Sequence, residues 1–202
     1  MQPMASFRLD ELLAQIASKT PAPGGGATAC TVGALSAAQA QMVVAYSIGN
    51  KSLAEHDPEL REAQSRLENT RTLFLEFADE DAAAYGTLNI LMKLPEDDPA
   101  RREQYPRAVK QAIQIPQATL AAALNLLRLY ERLATSSNKH LASDLAISAI
   151  LAESAARAAA CNIRINLPLM TDSRQHAKIE AETVSSLEDA AGRCRAVCEK
   201  CS

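Results

Sequence analysis

Carboxylates gather at one point of the chain, where Asp79, Glu80 and Asp81 follow one another inside an otherwise apolar stretch. In a helix these side chains lie within one turn, and one that faces the interior is desolvated, which changes its affinity for a proton. Such a carboxyl group serves as a general acid or base. The alternative interpretation is an acidic cluster that simply lies in water, as most do.

A second candidate is the segment from Asn138 to Leu145, which gathers an amide, a cation, an imidazole, a hydroxyl and a carboxylate at the start of a predicted helix. Ser143 and Asp144 suit two roles there. They stabilise a first helical turn, whose exposed N–H groups favour a polar or acidic neighbour. They also suit proton transfer, for which His140 is a weaker candidate. The residues leave both interpretations open.

The turn from Thr20 to Ala27 reads TPAPGGGA and places two prolines and then three glycines directly before a predicted helix. Proline stiffens the turn, whereas glycine allows a ligand to approach exposed backbone N–H groups, here those of Gly24, Gly25 and Gly26 directly after Pro23. A plain helix–helix connector is the competing interpretation, because glycine-rich turns are common. A phosphate-binding Walker loop is excluded, since its glycine-lysine pair is absent and no strand precedes the turn.

Two further positions could contact a ligand. Lys51 follows an uncharged predicted helix, where a cation is favourable in itself and is also available to a ligand carboxylate. Asn162 and Asn166 are four residues apart and share a helix face if the helix continues that far. Pro168 nevertheless predicts that Asn166 terminates the helix.

Composition limits the classes of function. The chain has 202 residues, 48% hydrophobic and 22% charged, which predicts one globular domain over residues 1–202. The net charge of -3 and the absence of basic blocks argue against nucleic acid as a partner. A small anionic ligand needs only a few cations, so it remains compatible with this charge.

Five cysteines, an odd number, and the lack of a secretory leader predict a reduced, cytoplasmic location. We expect no metal site, because no histidine or fourth cysteine completes the group formed by Cys194, Cys198 and Cys201. The uncharged stretch 26–48 is long enough to span a bilayer. Its glutamines, serines and threonines favour a buried central helix, so we expect no membrane association.

Apolar periodicity predicts an all-α fold, a single-domain bundle of long, mostly antiparallel helices. The helices are expected over residues 7–17 with Ser6 as N-cap, 26–48, 58–92, 101–136 with breaks or kinks at Pro106 and Pro116, 141–164 and 173–200. Helices of this length present an extended face to a neighbour. We therefore expect a homodimer or a larger homo-oligomer.

Five segments together resemble the formiminotransferase-cyclodeaminase C-terminal domain family, which includes stand-alone cyclodeaminases and methenyltetrahydrofolate cyclohydrolases. Only TPAPGGG is distinctive alone, but the segments occur in the family's order and the resemblance covers nearly the whole chain. They are LDELLAQIASKTPAPGGGA at 9–27, DEDAAAY at 79–85 followed by MKLP at 92–95, Pro116, NKHLASDL at 138–145 and CNIRINL at 161–167.

The resemblance implies an all-helical oligomer that binds folate near the glycine turn and the subunit interface, with tetrahydrofolate as substrate and no other cofactor. On this basis Asp144 and Asp81 are assigned to proton transfer or to stabilisation of a positive product. The substrate-binding set is Pro23, Gly24, Gly25, Gly26, Lys51, Ser143 and Asn162. Lys51 stands alone where relatives often carry a basic cluster.

Two reactions fit the resemblance. A formimino-tetrahydrofolate cyclodeaminase forms 5,10-methenyltetrahydrofolate and ammonia, and it is preferred by a small margin. A methenyltetrahydrofolate cyclohydrolase opens the same methenyl compound to 10-formyltetrahydrofolate. The alternative from another class is a non-catalytic helical protein that binds folate or a partner subunit.

Overall fold

A computed structural model describes residues 2–202, and within them every regular element is helical. The α-helices are α1 (Leu9–Ile16), α2 (Gly25–Ala45), α3 (Asp57–Lys93), α4 (Pro99–Ser136), α5 (Ala142–Asn166) and α6 (Ser173–Lys200). Short 3-10 turns occupy Met4–Ser6, Lys51–His56, Lys139–Leu141 and Leu167–Leu169. The predicted all-α fold of long helices is confirmed, whereas the prediction of one domain over 1–202 stays a prediction.

Four of the helices, α2 to α5, form an up-and-down bundle in which each packs against the next and α5 returns to α2. Side-chain pairs show that α2 runs antiparallel to its neighbours. Along α3, Gly26 contacts Asp81 and Gly33 contacts the earlier Phe74. Along α5, the Ser36 hydroxyl donates to the Ser148 carbonyl at 2.8 Å, and Gln39 donates to the earlier Asp144. The remaining long helix, α6, fills the groove between α4 and α5.

Polar side chains start the helices where the sequence changes from loop to apolar periodicity. Asp98 accepts from the N–H groups of Ala100 and Arg101 at 2.8 and 3.3 Å, which caps α4 next to Pro99 at its first position. Asp172 caps α6 in the same way. The N-cap expected at Ser6 is wrong: this residue ends a 3-10 turn, and α1 begins two residues later than predicted, at Leu9.

The helix α4 is longer and more regular than expected. It continues through Pro106 and Pro116, where the sequence predicts breaks or kinks. A proline lacks an N–H and removes one intrahelical hydrogen bond, yet the surrounding helices hold the segment helical. At Pro116 the carbonyl that loses its donor is that of Ala112, and another helix supplies a replacement.

Small residues let α2 lie at the centre of the bundle. Eleven of its residues are buried, among them Gly33, whose hypothetical Cβ would lie 2.5 Å from the Phe74 ring. Among the described residues α2 is the one helix apolar and long enough to cross a membrane, and 56% of that stretch is buried within the fold. This agrees with the interpretation of a buried central helix.

One stripe of α2 nevertheless faces outward. Leu35 is 54% exposed and Tyr46 is 68% exposed, and no charged residue occurs anywhere in the helix. At the same level of the bundle, α5 exposes Ile147 and Ile150. The result is an uncharged, largely apolar face that runs along the length of α2, which we call the α2 face.

Candidate functional site

The glycine turn forms one end of a cleft. Its residues leave α1, pass through a cis peptide bond between Ala22 and Pro23, and reach α2 with Gly24 as the N-cap. Pro23 is buried beneath the turn. The first N–H groups of a helix have no intrahelical partner and carry partial positive charge, so the turn presents hydrogen-bond donors to the cleft.

Asp81 of α3 lies directly on this turn. A Cβ atom built on Gly26 would lie 2.1 Å from Oδ1 of Asp81 and 2.3 Å from its Oδ2, so only glycine leaves room for the carboxylate. The second glycine of the helix is therefore required by a contact with another helix. Proximity of this kind cannot be inferred from the local sequence, where Gly26 looks like part of a flexible connector.

Burial raises the pKa of the Asp81 carboxyl above its ordinary value of 3.8, because an ionised carboxylate loses hydration there. The backbone N–H of Ala27 opposes the shift by hydrogen bonding to the charged form. Beneath the carboxylate, burial likewise raises the pKa of the Cys30 thiol to about 11. Cys30 lies 3.3 Å from the Thr119 hydroxyl and belongs to the packed floor of the site.

The opposite wall of the cleft comes from the last turn of α5. Asn162 lies against Gly25, with its Oδ1 3.3 Å from where a Cβ of that glycine would be. Asn166 follows one turn later, and its Nδ2 donates to the carbonyls of Ala112 and Asn162 at 2.9 and 3.0 Å. The expectation that Asn166 simply terminates the helix is thus incomplete, because its amide joins α5 to α4.

The cleft between these walls has a volume of about 230 Å³. Its lining combines a carboxylate, two side-chain amides, a phenol and the glycine turn, together with apolar side chains; the polar contributors are Asp81, Asn162, Asn166 and Tyr85. Such a mixture of apolar surface and convergent polar groups is typical of a site for one small molecule. Our assignment of site residues omits Tyr85 and Asn166, although both occur in the segments that carry the family resemblance.

Three of the assigned residues lie elsewhere in the chain. Asp144 accepts a hydrogen bond from Nε2 of Gln39 at 2.7 Å, and Gln39 lies thirteen residues after Gly26. Along a helix this separation corresponds to about 20 Å, so Asp144 and Asp81 lie near opposite ends of α2. Ser143 and Lys51 are exposed near Asp144's end. One chain does not bring the two carboxylates together.

Other candidates take structural positions. Asp79 accepts from the Met4 backbone N–H at 2.9 Å and so fastens the N-terminal turn to α3. Asn138 caps the 3-10 turn before α5 by accepting from the His140 N–H at 3.0 Å. The N-cap of α5 itself is Leu141, so neither Ser143 nor Asp144 caps this helix, although Asp144 lies in its first turn. Within residues 2–202 no three side chains of His, Cys, Asp or Glu are arranged to hold a metal ion.

Known proteins show the same fold and sequence pattern. A sequence model of the family described as formiminotransferase-cyclodeaminase matches residues 8–185. A crystal structure of formiminotetrahydrofolate cyclodeaminase from Thermotoga maritima superposes with a TM-score of 0.86 at 25% identity, over 96% of this chain and 97% of that one.

Two curated relatives differ in length and in name. A methenyltetrahydrofolate cyclohydrolase of Methylorubrum extorquens is 28% identical over 168 residues, which is 81% of each protein. A formimidoyltransferase-cyclodeaminase of Gallus gallus is 29% identical over 179 residues, or 87% of this chain and 33% of that protein. The chain therefore spans about a third of the second relative's length.

Proposed function

Since the chain belongs to the formiminotransferase-cyclodeaminase family, we propose that it is an enzyme of tetrahydrofolate chemistry, a formimino-tetrahydrofolate cyclodeaminase that yields 5,10-methenyltetrahydrofolate and ammonia. The observation that carries the proposal is the partly desolvated Asp81 carboxyl beside the glycine turn. A carboxyl group with a raised pKa accepts and returns protons more readily near neutral pH than one in water.

The reaction requires proton transfer but no change of oxidation state. N10 of the folate attacks the formimino carbon and forms a C–N bond, and N10 loses its proton. The original formimino nitrogen takes up protons and leaves as ammonia when its bond to the same carbon breaks. Asp81 in its ionised form accepts the N10 proton and passes it to the departing nitrogen, which takes a further proton from solvent. The carboxylate, ionised again, then stabilises the positive charge of the methenyl product. No cofactor beyond the folate substrate is needed.

The cyclohydrolase reaction is the second candidate. The relative from Methylorubrum extorquens carries that name and matches this chain over most of both lengths. In this reaction the same carboxylate orients a water molecule toward the methenyl carbon, and the ring opens to 10-formyltetrahydrofolate. A non-catalytic folate-binding protein is the third candidate. It is favoured by the segment 49–53 after α2, where Lys51 is the one cation in place of the basic cluster that relatives often carry.

The absorbance of the methenyl compound separates these functions. We expect absorbance to rise when the purified protein meets 5-formiminotetrahydrofolate, with release of ammonia in equal amount. Decay of added methenyl compound to 10-formyltetrahydrofolate, with no reaction of the formimino compound, would instead establish the cyclohydrolase. Folate binding without turnover of either substrate would establish the non-catalytic protein.

We also propose that the α2 face is the contact surface of a cytoplasmic homodimer. The face is long, uncharged and apolar, which suits a second copy of itself better than water. In a symmetric dimer with antiparallel α2 helices and an axis near Leu35, the glycine turn of one protomer lies beside the C-terminal end of the other α2. The partner subunit's Asp144 then approaches Asp81, and one site uses both carboxylates.

A charge in the α2 face tests this arrangement. We expect Leu35→Lys to give a mass of one 21.6 kDa chain by light scattering, whereas the wild type gives twice that mass. Turnover should fall at least about tenfold, because a monomer lacks the second carboxylate. Val184→Lys is the matched control, since Val184 is also exposed but lies on α6. A wild type that is monomeric and fully active would refute the dimer.

A further inference from the structure

Pro116 creates a defect in the middle of α4 that the fold repairs from another helix. Because proline has no N–H, the carbonyl of Ala112, four residues earlier, loses its intrahelical donor. Both Ala112 and Pro116 are buried, so water is a poor substitute. Nδ2 of Asn166 donates to this carbonyl at 2.9 Å across 54 residues of sequence.

The same amide also holds the end of its own helix. Nδ2 of Asn166 donates to the Asn162 carbonyl at 3.0 Å, so one NH2 group bonds α4 and the last turn of α5 together. Asn162 is the residue whose Oδ1 faces Gly25 across the cleft. A chain of contacts therefore runs from the proline of α4 through Asn166 and Asn162 to the glycine turn.

We propose that Asn166 is a positioning residue that uses the carbonyl freed by Pro116 to fix the last turn of α5, and with it Asn162, against the glycine turn. The inference rests on the proposed folate chemistry of this cleft. In this arrangement Pro116 leaves the Ala112 carbonyl of α4 free to accept a hydrogen bond from a neighbouring helix. The side chain that takes this acceptor is itself part of the cleft lining.

Two substitutions distinguish a positioning role of Asn166 from the simpler role of providing a hydrogen bond to the buried Ala112 carbonyl. Asn166→Ala removes the donor, and we expect a lower melting temperature together with a fall in kcat/KM of at least about tenfold, mostly through a rise in KM. Adding Pro116→Ala returns an N–H to the helix and supplies the Ala112 carbonyl with a local donor. In the double variant the melting temperature should recover, whereas KM should remain raised because α5 is no longer tied to α4.

Two controls accompany the pair. Pro106→Ala changes an exposed proline of the same helix, and Asn69→Ala removes an exposed amide on α3. Both should retain wild-type KM. If the double variant regains wild-type KM along with its melting temperature, Asn166 only satisfies a carbonyl and the positioning role is wrong.

The dissociation constant for tetrahydrofolate is measured in parallel, so that failure of the proposed function is distinguishable. A wild type that binds tetrahydrofolate without turnover overturns the enzymatic proposal. In that case the dissociation constants of the variants replace KM as the test of the positioning role. A wild type that neither binds nor turns over folate overturns both. A raised dissociation constant in both Asn166 variants supports the positioning role.

Discussion

Asp81→Asn should lower kcat/KM for the folate substrate at least about 100-fold and, at the same time, raise the melting temperature at neutral pH. The amide cannot accept the N10 proton, and removal of a general base commonly lowers the rate by about 10²–10⁴-fold. A 100-fold loss corresponds to about 2.7 kcal/mol of transition-state stabilisation. The gain in stability follows because the substitution removes a desolvated charge while Oδ1 can still accept from Ala27.

The stability difference should depend on pH in a defined direction. The pKa of Asp81 is higher in the folded protein than its ordinary value of 3.8, so the folded state binds the proton more tightly than the unfolded state. The resulting stabilisation is complete below 3.8 and is lost as pH rises through the folded pKa. The Asp81→Asn variant lacks this titrating group. The difference in unfolding free energy in its favour over the wild type should therefore grow from acid to neutral pH.

The prediction is tested by thermal unfolding of the wild type and the Asp81→Asn variant from acid to neutral pH, together with initial rates. The matched control is Asp79→Asn, which removes a neighbouring carboxylate that bonds the Met4 N–H. This control should lose some stability and keep most of its kcat. Asp81→Asn with near wild-type turnover would show that another group transfers the proton, with Asp144 the next residue to substitute.

Gly26→Ala should be nearly as damaging to catalysis as loss of the carboxyl itself. The new methyl would lie 2.1 Å from Oδ1 of Asp81, far inside van der Waals contact, so the carboxylate must rotate away from the turn. We expect kcat/KM to fall at least about 100-fold while stability changes by only about 1 kcal/mol, because a flexible side chain is what yields. Chemical denaturation and initial rates give both quantities.

Gly33→Ala on the same helix provides a demanding comparison. Its methyl would meet the buried Phe74 ring at 2.5 Å, and a packed ring cannot yield as a carboxylate can. This variant should therefore lose about 1–3 kcal/mol of stability, more than Gly26→Ala, yet keep kcat within about twofold for the folded fraction. If the two variants lose activity in proportion to their loss of stability, the contact between Gly26 and Asp81 has no specific role.

The predictions for Asp81 and Gly26 share one physical feature. The Asp81 carboxylate occupies the space that a side chain at position 26 would fill, so that position must be glycine. Ionisation of a carboxyl group in a desolvated position is unfavourable for stability, which is why burial raises the pKa of Asp81. Such an arrangement is typical of sites where proton affinity is used in a reaction. In the proposed reaction the glycine turn contributes space and backbone N–H groups, while Asp81 contributes the carboxylate that accepts the proton.

Much of the fold follows from sequence patterns that act locally. Apolar periodicity specifies where the helices run, and Asp98 before Pro99 and Asp172 before the last helix specify where two of them begin. The structure places every helix boundary within three residues of expectation. The burial of α2 can likewise be predicted from its composition and its lack of charged residues, because the hydrophobicity of each residue is a local property. The ordered motifs likewise identify the family, because they are read along the chain.

The tertiary structure alone decided which of these residues meet. Gly26 and Asp81 are 55 positions apart, and Asn166 bonds a carbonyl 54 positions away, so neither contact leaves a periodic trace in the sequence. Asp144 and Asp81 were expected to act in one site, yet in one chain they contact positions of α2, Gln39 and Gly26, that lie about 20 Å apart along the helix. Local preferences determine helices, whereas the packing angles and register between helices depend on many side chains at once, and those determine the site.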